Sequence, residues 1–311
     1  MTTAYLTHPD ALRHQTPPGH PEQIARIKAI TEALDTPDFA ALMRHDAPLA
    51  EEAQLLLCHP AAYIDRIRKA IPAAGIYQLD ADTHVSNGSF DAARRGVGGA
   101  CHAVDLVMAG TARNAFVAMR PPGHHAETQT PMGFCLFGTV AIAAKHAMER
   151  HGLSRVAVVD FDVHHGNGTQ DLLWSEDRAL FVSSHQMPLW PGTGRPEERG
   201  AHGNVLNLPL APGTDGAGFR RVYEDIVLPQ LERFAPELVI VSAGFDAHRD
   251  DPLAQLDLVE DDFAWVTGAL CDIAARHAQG RLVSCLEGGY DLQALAASVA
   301  AHIRVLMEKG A

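Results

Sequence analysis

Five short runs of Val, Ile, Leu, Phe and Ala stand out along the chain because their apolar residues follow one another instead of alternating with polar ones. They are Ala115–Met119, Val156–Val163, Ala179–His185, Glu237–Asp246 and Arg281–Gly288. A strand covered on both faces reads this way, whereas a half-solvated strand alternates. Helical spacing lies between and behind these runs. Phe263, Val266, Leu270, Ile273 and His277 recur at intervals of three and four behind Asp261 and Asp262, acidic residues suited to a helix N-terminus. Leu292, Leu295, Val299, Ile303 and Leu306 repeat the pattern, and Pro21 to Leu34 predicts an earlier helix with Pro in its first turn. Strands alternating with helices predict an α/β fold built on one open, mainly parallel β-sheet flanked by helices on both faces. No repeat, low-complexity tract or long polar linker interrupts the pattern, so a single domain over residues 1–311 is expected.

Composition removes several classes. The 311 residues are 47% hydrophobic and 20% charged, enough apolar content for a large core and too much for disorder. Lys and Arg number 25 against 38 Asp and Glu, a formal charge of −13. That balance speaks against a nucleic-acid partner, which needs cations to neutralise phosphates, and leans toward cationic substrates. The first residues lack the basic and apolar regions of an export signal, and charges or glycines break every long apolar stretch, so a cytoplasmic protein with no membrane partner is expected. Cys58, Cys101, Cys135, Cys271 and Cys285 are scattered without a C-x-x-C pair, as in a reducing compartment. There is no G-x-x-x-x-G-K-[ST], H-E-x-x-H or G-x-S-x-G, and Arg95-Gly-Val-Gly-Gly-Ala does not match a dinucleotide loop.

The polar residues are placed at the ends of the apolar runs. The first run leads into Arg-Pro-Pro-Gly-His124-His125, the second into Asp160-Phe-Asp162-Val-His164-His165-Gly-Asn167, and the third ends in Ser183-Ser184-His185. The fourth ends in Asp246-Ala-His248 and the fifth in Glu287-Gly288-Gly289-Tyr290. In a parallel α/β sheet the ligand crevice lies beyond the carboxyl ends of the strands, so one rim receives His, Asp and Tyr from five strands.

Alternate residues of an extended segment point the same way, about 6.6 Å apart, so Asp160, Asp162 and His164 should project together unless the turn at Gly166 intervenes. Asp162 and His164 with Asp246 from another strand make three N/O ligands, the open arrangement of a catalytic zinc site. Adjacent His124 and His125 suit acid and base roles, with Asp160 keeping one imidazole protonated and the neutral amide of Asn167 leaving the other free to accept a proton. Tyr290 suits an oxyanion donor, and Gly288 and Gly289 let backbone approach a ligand.

Taken together, these blocks resemble the zinc-dependent histone deacetylase superfamily, which includes bacterial acetylpolyamine amidohydrolases and shares the arginase-like three-layer αβα fold. The carriers are Arg120-Pro-Pro-Gly-His-His-Ala, Gly133-Phe134-Cys135, Asp160-Phe-Asp-Val-His-His-Gly-Asn-Gly-Thr-Gln, Pro191-Gly-Thr-Gly, Ser242-Ala-Gly-Phe-Asp-Ala-His and Leu286-Glu-Gly-Gly-Tyr. Asn167 and Glu287-Gly-Gly resemble the class II branch and its bacterial relatives. The resemblance implies zinc, or ferrous iron, on Asp162, His164 and Asp246, with His125 as general base and then acid, and His124 as its electrostatic partner tied to Asp160. It implies that Tyr290 polarises the acetyl carbonyl and that Phe134, after Gly133, and Trp190 wall a narrow tunnel for the aliphatic stem. It also implies a structural potassium ion on Asp160, Asp162, His164, Ser183 and Ser184, through backbone carbonyls at His164 and Ser184, and an active-site arginine at Arg26.

The expected substrate is an acetylated amine, either acetyl-lysine in protein or an N-acetylpolyamine. Leu253 stands where the polyamine-specific eukaryotic branch carries a selective glutamate, and so resembles the protein deacetylases. Trp190, bulky in the tunnel, resembles the polyamine enzymes. The segment Leu79-Asp-Ala-Asp82-Thr-His84 is expected at the rim, where its carboxylates could hold a substrate amide or amine. Two alternatives stand beside this reading: a weak binder of acetylated ligands, and an arginase-like ureohydrolase with two manganese ions. A homo-oligomer is compatible with all three.

Overall fold

The computed structural model describes residues 2–311. Its strands are β1 (Thr3–Thr7), β2 (Met43–Asp46), β3 (Ile76–Gln78), β4 (His84–Ser86), β5 (Asn114–Val117), β6 (Val156–Asp160), β7 (Ala179–Gln186), β8 (Val205–Leu210), β9 (Leu238–Ala243) and β10 (Leu282–Leu286). Eight of them form one sheet in the order β2-β1-β5-β10-β9-β6-β7-β8, and every neighbouring pair is parallel. β3 and β4 make a separate antiparallel hairpin.

Every residue of β5, β6, β7, β9 and β10 is buried. Such strands need cover on both faces, and the flanking helices supply it. The five apolar runs of the sequence are these five strands, and they sit side by side in the sheet as β5-β10-β9-β6-β7. β1, β2 and β8 are not among those apolar runs. β2 alternates partly buried and exposed residues, and β8 carries Asn207 and Pro209 among its apolar positions.

The helix after β9 spans Glu260–His277, and Asp262 at its start accepts the N–H of Val259 at 3.0 Å. The Leu292–Gly310 helix starts at Asp291, whose Oδ1 accepts the N–H groups of Gln293 and Ala294. These caps satisfy donors that a helix end leaves open. The first helix begins at Ile24, three residues after Pro21. Thr16 Oγ1 donates to the carbonyl of Glu22, and the side chain of Glu22 turns into the interior, so this stretch is held outside the helix. All five cysteines are buried and unpaired. Among the described residues no helix is long and apolar enough to cross a membrane.

Candidate active site

β6 ends at Asp160 and the chain turns at once. Asp160 Oδ1 accepts the N–H of Asp162 at 3.0 Å, and Asp162 Oδ1 accepts the N–H of His164 at 2.9 Å. These two local turns replace the extended segment expected from the sequence, so Asp160 and Asp162 face different partners. Asp162 and His164 nevertheless meet Asp246 from the end of β9. His164 Nδ1 lies 3.1 Å from both Asp162 Oδ1 and Asp246 Oδ2. The second oxygen of Asp246 accepts the N–H of Val163, and that of Asp162 accepts the N–H of Gly288.

Asp162 and Asp246 are fully buried and His164 is 8% exposed. Two buried carboxylates facing one imidazole leave negative charge that the local groups do not neutralise, and their donor atoms lie within 4.8 Å of one another. An all-N/O set of this kind fits a divalent cation. Gly288 is part of the fit, since a Cβ there would overlap both carboxylates.

The two histidines beside this set are separated by their partners. Their ring centroids are 3.8 Å apart. His124 Nδ1 lies 3.0 Å from Asp160 Oδ2, and His125 Nδ1 lies 2.8 Å from Asn167 Oδ1. Asn167 Nδ2 donates to Glu127 Oε1 at 2.8 Å, which orients the amide with its oxygen toward His125. His125 therefore carries its proton on Nδ1 and leaves Nε2 as an acceptor. Burial by itself lowers both imidazoles. At His124 the carboxylates of Asp162, Asp160 and Glu287 outweigh it and raise the pKa well above the usual histidine value. At His125 the charges of His124 and His164 add to burial and hold it well below. Burial pushes Asp160 up to about 7 against the pull of His124. The His124–Asp160 pair thus keeps a proton while His125 stays neutral.

Glu287 clamps the backbone under this pair. Its Oε2 accepts the N–H groups of Gly123 and His124 at 2.6 and 3.1 Å, and its Oε1 accepts from Ser242 Oγ at 2.9 Å. Tyr290 follows, with its N–H donating to Asp251 Oδ2 at 2.7 Å. Arg26 is fully buried and stands 4.9 Å over the Tyr290 ring, donating to the carbonyls of Gly289 and Glu287. Burial pushes the Tyr290 phenol well above its ordinary value, so it remains a donor. Behind Arg26 lies Glu22, bonded to Arg120 through both oxygens at 2.5 and 2.6 Å, to Arg26 at 3.3 Å and to His14 at 3.2 Å.

Exposure rises from zero at Asp162 to 42% at Trp190. The indole packs 4.7 Å from the His125 ring and 6.1 Å from His164. Phe134 stands on the other flank, 5.8 Å from Tyr290 and 4.8 Å from His20. Gly133 has φ +56°, and a Cβ there would strike His125 and Trp190. Asp82 Oδ1 accepts the N–H of Gly133 at 3.2 Å, so one oxygen of this rim carboxylate serves the Gly133–Phe134 loop itself. Leu253 is partly buried, with its N–H on Asp251 Oδ1. Ser183 and Ser184 are buried on β7, where Ser183 pairs in register with Asp160, its hydroxyl meets His185 Nδ1, and the Ser184 hydroxyl meets Tyr223.

The family described as the histone deacetylase domain matches residues 20–306. The chain belongs to the histone deacetylase family. As a family member it is a metal-dependent deacetylase or amidohydrolase, with Asp162, His164 and Asp246 as its candidate metal site. It is 43% identical over 277 residues to the histone deacetylase-like amidohydrolase of Pseudomonas aeruginosa, covering 88% of this chain and 73% of that one. It is 36% identical over 302 residues to a probable deacetylase of Archaeoglobus fulgidus, covering 94% and 82%. The HDA15 HD domain crystal structure superposes with a TM-score of 0.94 at 32% identity, covering 99% of this chain and 88% of that one. A deacetylase identity displaces the binder and ureohydrolase alternatives.

Glu22, Glu127, Asp251 and Glu287 were not singled out for site roles in the sequence. Glu287 lies within Leu286-Glu-Gly-Gly-Tyr, beside the singled-out Gly288, Gly289 and Tyr290. Glu22 is a lone acid before a helix with Arg26 four residues on, and nothing in its neighbourhood signals that it also faces Arg120 from a distant segment.

Proposed function

We propose that this deacetylase hydrolyses the amide of an acetylated primary amine on an extended aliphatic chain, releasing acetate and the free amine. The observation that carries the reading is the opposite bonding of the histidine pair, His124 to a carboxylate and His125 to an amide, beside the three-ligand cluster. Zinc or ferrous iron held by Asp162, His164 and Asp246 would supply Lewis-acid polarisation of the carbonyl and acidification of water. His125 Nε2, neutral and without a protein partner among the described residues, takes the proton of the attacking water and returns it to the leaving amine. The His124–Asp160 pair holds positive charge beside the developing oxyanion. The Tyr290 hydroxyl, also without a protein partner among the described residues, donates to that oxyanion. Phe134 and Trp190 flank the stem of the substrate. Asp160, Asp162, His164, Ser183 and Ser184 would hold a potassium ion that stiffens the β6 turn. The catalytic unit is taken as one domain over residues 1–311, acting in the cytoplasm.

Acetyl-lysine and N-acetylpolyamine remain the two substrate classes, Leu253 favouring the first and Trp190 with the −13 charge favouring the second. The test is kcat/KM of the zinc-loaded, potassium-containing protein on an acetyl-lysine peptide, N-acetylputrescine and N-acetylspermidine, with Tyr290→Phe as blank. A tenfold preference corresponds to about 1.4 kcal/mol of transition-state discrimination and assigns the class. Turnover of none of them by protein with bound metal would overturn the reading.

A further inference from the structure

A second convergence of metal-ligating side chains lies away from the rim. Asp105 belongs to the last turn of the Ser89–Met108 helix, and His146 and His151 belong to the Thr139–His151 helix packed beside it. His146 Nε2 lies 2.9 Å and His151 Nε2 2.7 Å from one and the same oxygen, Asp105 Oδ1. The donor atoms of the three residues fall within 4.8 Å of one another. The first helix leads into the amino end of β5 and the second into the amino end of β6. The cluster therefore sits at the opposite end of the sheet from the catalytic residues, which follow the carboxyl ends.

We propose that Asp105, His146 and His151 form a second divalent-cation site, for a borderline ion such as zinc, nickel or cobalt, that ties these two helices together. Two imidazole nitrogens and one carboxylate oxygen are the donor set such ions prefer. Ligands about 2.0–2.1 Å from a tetrahedral ion stand about 3.3 Å apart, so the cluster must open by about half an ångström to admit one. His151 is the last helical residue and its side chain is 22% exposed, so it has room to make that adjustment. A cavity of about 600 Å³ is lined by Asp105 and His146, with His102 and Glu149, and gives an ion a path and space for water ligands. The competing cation is Arg150, whose Nε is 3.7 Å from Asp105 Oδ1. Its side chain is 67% exposed and free to swing into solvent, and Glu149 is already paired with Arg178 at 2.8 Å.

The experiment is metal counting by mass spectrometry after dialysis of the full chain in micromolar zinc. Wild type should hold two ions per chain, His151→Ala one, Asp246→Asn one, and the double variant none. Deacetylase turnover should be unchanged in His151→Ala, because the residue touches nothing in the active site. Far-ultraviolet circular dichroism confirms that each variant is folded, and His146→Gln repeats the test should His151→Ala not fold. In the Asp246→Asn background, added zinc should raise Tm, and His151→Ala should abolish that rise. An equal count in wild type and in the folded His151 or His146 variant would overturn the proposal. An empty active site alone would give one ion in wild type and none in His151→Ala, so failure of the catalytic reading and failure of this one give different results.

Discussion

Glu22→Gln should unsettle this protein more than its distance from the reacting atoms suggests. The carboxylate is completely buried with two fully buried guanidiniums, Arg120 and Arg26, and with His14, which burial keeps neutral. Although burial opposes it, the Arg120 charge holds the Glu22 carboxyl well below the usual carboxylate range. Neutralising Glu22 leaves two buried cations without a counter-charge, and removing one member of such a buried set costs about 3–5 kcal/mol. With an unfolding entropy of about 2.1 cal/mol/K per residue, a 311-residue chain has about 0.65 kcal/mol/K, so Tm should fall by about 5–8 °C. Calorimetry on the metal-loaded protein measures it, with urea unfolding as the reversible check. Adding Arg120→Met to Glu22→Gln removes one of the two stranded cations and should recover part of the loss. Because Arg26 holds the carbonyls on either side of Gly288, kcat should fall as well, with KM less affected. A Tm within 1 °C of wild type, or a double variant whose losses simply add, would refute the reasoning.

Three further outcomes are expected. His125→Ala should keep the metal and lose turnover by about 10²–10⁴-fold, the usual contribution of a general base, and loss of the metal in dialysis would recast His125 as a ligand. Stripping the metal with a chelator should lower Tm, because two buried carboxylates lose their counter-charge. Restoring an ion to 100 times its Kd should return about 2.7 kcal/mol, and a melting curve insensitive to chelation would count against an occupied site. Acid should destabilise the fold early, because burial lowers His59 to about 4 and His302 to about 3, while both titrate near 6.5 when unfolded. These depressed values mean that the stability is complete above about pH 6.5 and shrinks as pH falls toward 4, each histidine contributing about 3 kcal/mol of loss there. Unfolding midpoints that stay flat from pH 7 to 4.5 would contradict it.

The sequence alone determined the sheet's interior and the order of its polar ends. β5, β6, β7, β9 and β10 were legible because a strand covered on both faces must be apolar at every position, and that requirement is written in consecutive residues. The rim followed, since parallel strands deliver their carboxyl ends to one side. The edge strand β2 was not legible, because Met43–Asp46 is half solvated and looks like a loop. Tertiary structure alone decided the partners. Asp160 and Asp162 belong to one short motif, yet local turns after β6 send the first to His124 and the second to His164 and Asp246. Glu22 and Arg26, four residues apart, look like a surface pair in their own neighbourhood, and Glu22 becomes the buried counter-charge of Arg120 only once segments about a hundred residues apart fold together. Local pattern reports whether a residue must be buried. Which charge it will meet there depends on contacts that are distant in sequence, and these exist only in the folded chain.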